Sequence, residues 1–256
     1  RLGFPVFPLE WKDPATGEIS SGYRERHYYP DAFVNMLALL GWNPGTDQEI
    51  FTLRELADLF SFEHVHKAGA KFDPEKTKWF NQQYLRKKSN EELANQFIKE
   101  VTTKLKSDET EIEAPVNLND NSLSPYVTEV CGLIKDKATF SNEFWELSSY
   151  LFFAPKQFDE NVISKKWNPQ VAEVILKAAD AFEKINADDF DASTIDMTFK
   201  ETCEANGIKP GNVLQALRVC ISGRGAGVDL LRMCELLGKD QVIKRMRNAV
   251  ATINKI

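Results

Sequence analysis

The sequence predicts an all-α fold. Apolar residues recur at helical spacing along most of the chain, helix-capping sequences interrupt them at intervals, and period-two strand alternation is nearly absent. No fixed-period repeat is visible, which argues against a solenoid.

Residues 2–22 contain Pro5, Pro8, Trp11 and Pro14 and a Pro-Ala-Thr-Gly turn, which predicts an ordered irregular arm or a hairpin. Pro30 stands at a first-turn position, and Phe33, Met36, Leu37 and Leu40 form one apolar face that ends at Gly41. Trp42-Asn43-Pro44-Gly45 is a turn, and Thr52 with Glu55 makes a capping box for a helix through Leu56 and Leu59. Asp73-Pro74 opens the next helix: the carboxylate can accept from free amides, and proline lacks the donor that would be orphaned there. That helix carries Trp79 and Phe80, with Trp79 expected in the core. Ser89 and Glu92 form a second capping box, followed by the stripe Leu93, Phe97, Val101 and Leu105.

Residues 106–122 are acidic, contain Pro115 and lack periodicity, so they read as a connection between two modules. Helices are expected near 123–138 and 142–153. A longer one starts at Asn168-Pro169 and carries Val171, Ile175, Ala178, Phe182 and Ile185. Another runs from about Ser193 to Gly207, and Pro210 opens one through Leu214, Leu217 and Ile221. The last two span Asp229 to Gly238 and Asp240 to the end. The segments are thus 1–22, 23–108, 109–190 and 191–256.

With 256 residues there is room for two modules, and 43% apolar with 27% charged residues is ordinary for a folded soluble chain. No stretch reaches the ~20 apolar residues that span a bilayer, so a cytoplasmic location without membrane contact is expected. Because the chain starts at Arg1, it reads as a fragment or a processed chain. Cys131, Cys203, Cys220 and Cys234 form no C-x-x-C pair and sit in apolar helices, which predicts buried thiols. His64 and His66 lack acidic or cysteine partners at a matching helical spacing, so no metal site is expected.

The net charge of −6 is unevenly spread. Residues 205–256 hold nine Lys/Arg against three Asp/Glu, and residues 63–88 hold seven against three. An acidic body repels phosphates except where such islands are presented. No catalytic signature is present. Ser222-Gly223-Arg224-Gly225-Ala226-Gly227 is glycine-dense, but it follows a helix instead of a strand and lacks the Gly-Lys-Ser/Thr of a phosphate loop. It reads as a helix–loop–helix junction that needs positive φ. No catalytic residues are expected in this chain.

Two segments carry a family resemblance. Between Tyr23 and Arg86 the chain reads Tyr-Arg-Glu…Pro-Asp-Ala-Phe-Val-Asn-Met-Leu-Ala-Leu-Leu-Gly-Trp-Asn, then Phe-Asp-Pro-Glu-Lys…Trp-Phe-Asn-Gln-Gln-Tyr-Leu-Arg. This resembles the segment that follows the KMSKS-type signature loop of bacterial-type glutamyl-tRNA synthetases. Leu217-Arg218-Val219-Cys220-Ile221-Ser222-Gly223, with Leu230 and Leu236-Leu237-Gly238, resembles the same family's anticodon-binding cage. Neither the HIGH motif nor the KMSKS loop, which build the family's ATP site, is present.

The resemblance implies a helical stem-contact module over 23–108, after an arm that is longer than in many members. A two-part anticodon-binding domain follows, a bundle over 109–190 and an α-helix cage over 191–256. It implies that the intact enzyme joins glutamate to tRNA with ATP and magnesium, while this chain binds tRNA(Glu) as a monomer and holds no cofactor. Arg218, Arg224, Gly227, Val228 and Leu230 are the implied anticodon-binding positions. Lys137 stands where some members carry an arginine that reads the third anticodon base, which leaves tRNA(Gln) open as a second partner. Lys67, Lys71, Lys76 and Lys78 are the implied contacts to the tRNA stem, touching phosphates without reading sequence. The alternative is a helical protein-interaction scaffold whose basic islands are plain solvated surface.

Overall fold

Asp13 folds the N-terminal arm. Its carboxylate accepts from the amides of Ala15 (2.7 Å) and Thr16 (3.3 Å), and Gly17 supplies a left-handed residue (φ 73°). The turn joins β1 (Trp11–Lys12) to β2 (Ile19–Ser20), paired antiparallel with Trp11 opposite Ser20. Of the two expectations for the arm, the hairpin is the one formed. The Ala15 amide, more than any other group, holds the Asp13 carboxyl below its ordinary range.

The computed structural model describes residues 7–66, 71–107, 112–114, 116 and 123–255. They fall into two units: Arg1–Leu93 with Ala138–Phe144, and Ala94–Lys137 with Trp145–Ile256. These limits differ from the segments drawn on the sequence, because the first division falls inside a helix instead of in the 106–122 connection.

In the first unit, α1 (Pro30–Leu39) packs on α3 (Pro74–Lys87), burying Ala32, Asn35 and Met36 against Phe80. The face expected from Phe33, Met36, Leu37 and Leu40 is rotated, and Leu37 is 48% exposed. The reason is Asn35. Its side-chain oxygen, fully buried, accepts from the Phe51 amide (2.8 Å) and the Tyr84 hydroxyl (2.7 Å), so an amide occupies the inward position. Burial pushes the Tyr84 hydroxyl up to about 12.

α2 (Leu53–Leu59) begins with the predicted capping box. Thr52 Oγ1 accepts from the Glu55 amide, and Glu55 accepts from the Thr52 amide. Asp73 caps α3 as expected. Trp79, however, is 37% exposed and turns its ring edge-on to the buried Phe80. The helix face toward α1 is taken by Thr77, Phe80 and Asn81, so the core position predicted for Trp79 is corrected to the surface.

α4 (Asn90–Ser107) buries its predicted stripe of Leu93, Phe97, Val101 and Leu105. In the second unit, α5 (Leu123–Ile134), α6 (Phe144–Ser148) and α7 (Glu160–Lys166) precede the long α8 (Pro169–Glu183). Then come α9 (Ala192–Ala205), α10 (Pro210–Ser222), α11 (Leu230–Leu237) and α12 (Lys239–Ile253). α6 is flanked by 3₁₀ turns at Ser141–Glu143 and Ser149–Leu151. α7 was not predicted: seven residues are too few to show periodicity, and the only signal was Asp159 as its N-cap.

α8 buries Val171, Ile175, Ala178 and Phe182 and packs on both α9 and α12. It thereby joins the segments 109–190 and 191–256 in one unit. The 106–122 connection is likewise part of this core where it is described. Glu113 and Ala114 are buried, and both of their amides donate to the Phe152 carbonyl (2.9 and 3.3 Å). All four cysteines are buried free thiols, as predicted.

Candidate nucleic-acid interface

The end of α10 is built around residues that only one backbone shape allows. Gly223 caps the helix at φ 74°, and a Cβ there would lie 2.5 Å from the Gln157 carbonyl oxygen. A side chain is excluded twice over, by φ and by space. Ser222 donates its hydroxyl to the Arg218 carbonyl (2.9 Å) and accepts from the Arg224 amide (3.2 Å), bending the chain out of the helix. Asp159 then pins the loop from across the unit. Its amide donates to the Gly223 carbonyl (2.9 Å), its Oδ2 accepts from the Gly225 amide (3.2 Å), and its Oδ1 caps α7. The glycine-dense loop is thus a helix–loop–helix junction, as expected, with its conformation fixed by partners.

Two arginines are held in this frame. Arg218 Nη1 donates to the Val228 carbonyl (2.7 Å), which ties α10 to the start of α11. The Arg224 guanidinium lies 5.3 Å from the Tyr150 ring centroid, within cation–π range, and the Val228 backbone hydrogen-bonds the Tyr150 hydroxyl. Burial raises the Tyr150 hydroxyl above its ordinary range, and the charges of Arg224 and Arg218 oppose that shift. Beside them opens a cleft of about 750 Å³ lined by Trp145, Tyr150, Phe153, Lys156, Phe158 and Arg224. Rings, a guanidinium plane and an exposed lysine are the groups on which single-stranded RNA readers stack bases and seat phosphates.

The structure brings Arg218, Arg224 and Gly227 together and leaves all three accessible in part. Val228 and Leu230, the other two implied positions in this stretch, present little side chain at the surface. Each is 3% exposed, because both anchor the entry of α11 in the core. In that stretch Gly227 and Asp229 are the exposed backbone. Lys137 is exposed in the turn after α5, where its amide donates to the Ile134 carbonyl (2.8 Å), and it does not line the cleft.

In the first unit, Lys67 lies outside the described residues. Lys71 is exposed at the edge of a cleft of about 560 Å³ that Phe72, Lys76 and Phe80 also line. Lys76 pairs with Glu49 and lies 5.9 Å from the Phe80 ring centroid, while Lys78 pairs with Glu75 at 2.8 Å. The island counted over 63–88 is therefore partly neutralised by an acid from outside that window.

The C-terminal surplus is likewise partly neutralised, by Glu235 within its own window and by Glu113, Asp180 and Glu183 from outside it. Lys244 and Arg245 share Glu113, Arg232 pairs with Glu235, and Arg247 pairs with Asp180 and Glu183. Sequence reasoning missed Tyr150, Asp159, Glu113 and Arg245. Only Asp159, as a helix cap, left a legible sign.

The chain resembles known proteins along nearly its whole length. The family model described as "Anticodon binding domain" matches residues 92–250. The chain is 44% identical over 253 residues to the glutamate–tRNA ligase of Phocaeicola vulgatus and 42% identical to that of Christiangramia forsetii. In each comparison 99% of this chain aligns with 47% of the relative, so the chain spans about half the length of these curated relatives. A crystal structure of a glutamate tRNA ligase from Elizabethkingia meningosepticum in complex with its amino acid superimposes with a TM-score of 0.84. It is 37% identical and covers 98% of this chain and 47% of its own.

Proposed function

The chain belongs to the anticodon-binding-domain family, and we propose that it is the tRNA-reading C-terminal part of a glutamate–tRNA ligase. The observation that carries this reading is the loop after α10, inside the matched residues, where two arginines are fixed beside an aromatic cleft. A guanidinium offers a planar fork of donors to bases and phosphates, and pinning it beforehand lowers the entropy lost on binding.

Unstacked anticodon bases enter the cleft and the Arg218–Gly227 edge, and the exposed lysines of the first unit meet stem phosphates without reading sequence. The partner is tRNA(Glu). Lys137 donates as a point charge, not as a bidentate fork, so acceptance of tRNA(Gln) is part of the proposal. The chain acts as a monomer in the cytoplasm, and no helix of the described residues is long and apolar enough to cross a membrane. In the full-length ligase the ATP and magnesium chemistry belongs to the catalytic part. Among the described residues no group of three His, Cys, Asp or Glu side chains could hold a cation, and no step is assigned to one on this chain.

A filter-binding titration with total tRNA tests the reading. Binding is expected at low salt, with affinity falling log-linearly as salt rises. No retention of tRNA at low salt overturns it in favour of the protein-interaction scaffold.

A further inference from the structure

The arginine that matters most to this loop touches none of its surface. Arg245 of α12 is 1% exposed in its side chain. Its Nη1 carries two protons and gives one to the Tyr150 carbonyl (2.6 Å) and one to the Ile221 carbonyl (2.9 Å). Its Nε donates to Glu113 Oε2 (3.1 Å), and the other carboxylate oxygen is held by Lys244 (2.9 Å). Glu113 is itself fixed, since its amide donates to the Phe152 carbonyl.

One guanidinium nitrogen therefore joins two chain segments that are distant in sequence. Tyr150 bears the ring under Arg224, and Ile221 is the residue before Ser222, where α10 turns into the loop. Stability alone does not call for a charge here, because an apolar side chain of similar volume fills such a site as well or better. The two N–H bonds of that one nitrogen, fixed in the guanidinium plane, do what an apolar group cannot: they hold the two carbonyls at a set separation.

We propose that the buried Arg245–Glu113 pair is a positioning device for RNA reading, holding the Tyr150 ring in register with Arg224 so that the cleft is formed before RNA arrives. The inference rests on the tRNA-reading function proposed above.

The test is a double-mutant cycle on the full chain. Arg245→Lys, Arg224→Ala and the double variant are each titrated with tRNA well below their melting temperatures, and each is also melted. Arg245→Lys is expected to weaken tRNA binding roughly tenfold, through the coupling of positions that touch no ligand. With Arg224 already removed, the same change is expected to alter affinity by less than about twofold, while the shifts in melting temperature still add. Glu113→Gln, nearly isosteric, runs through the same cycle in case Arg245→Lys does not fold, and the same pattern is expected.

Affinity losses that multiply in the double variant overturn the positioning role. So does an Arg245→Lys protein that melts lower yet binds like the parent. In both cases the tRNA reading itself stands. A parent chain that retains no tRNA at low salt removes the tRNA reading, and the positioning role with it.

Discussion

The lysines of the first unit and the arginines of the second carry the same charge but are held in opposite ways. Lys76 and Lys78 are about half exposed and each pairs with a single carboxylate, with the Phe80 ring also beside Lys76. Surface pairs of this kind contribute about 0–1 kcal/mol and reopen easily when a phosphate competes. Arg218 and Arg224 are half-buried, and each is oriented by a backbone carbonyl or a ring that is itself fixed. Arg245 is wholly inside. The difference teaches what each region can contribute. A surface, part-neutralised lysine supplies attraction without information, whereas a pinned guanidinium supplies direction and so can discriminate between bases.

The sharpest way to break this comparison is to remove the acid beneath the fixed side. Glu113→Ala leaves a buried arginine uncompensated and is expected to cost about 3–5 kcal/mol of stability, measured by urea unfolding. Next is the loop backbone. Gly223→Ala forces a Cβ into a left-handed residue and against the Gln157 carbonyl, with an expected loss of about 1–3 kcal/mol and weaker tRNA binding. A Gly223→Ala chain as stable as the parent would mean that Asp159 and Gln157 do not hold the loop.

Arg218→Ala is expected to cost about 1–3 kcal/mol of binding free energy and to narrow the difference between tRNAs of unlike anticodon. Titrations against two such tRNAs measure both effects. Smallest of all is Lys71→Ala, which should weaken every tRNA alike by under about 1 kcal/mol and lower the log–log salt slope by about one. If Lys71→Ala changes anticodon preference and Arg218→Ala does not, the assignment of the two regions is reversed.

Much of the architecture was written locally. Thr52 with Glu55 and Asp73 formed the caps read for them, Asn168 and Asp229 cap the helices read as starting there, and the stripe of α4 is buried as read. Caps are legible because donor and acceptor are two or three residues apart. The same locality explains the errors. Whether Leu37 or Asn35 faces inward depends on Phe51 and Tyr84, which no periodicity within α1 can report.

Charge behaves in the same way. Counting along the chain found the basic islands but could not see that Glu49 lies beside Lys76 or that Glu113 reaches Arg245 across 132 residues. Sequence by itself determined the all-helical class, several capped helix starts and the junction character of the glycine-dense segment after α10, because each rests on contacts within one turn or on backbone sterics. Tertiary structure alone decided which charges are buried, which are neutralised and which remain to meet a ligand. Coulomb energy and desolvation depend on distance in space and on exclusion of water, and neither is ordered by position along a chain.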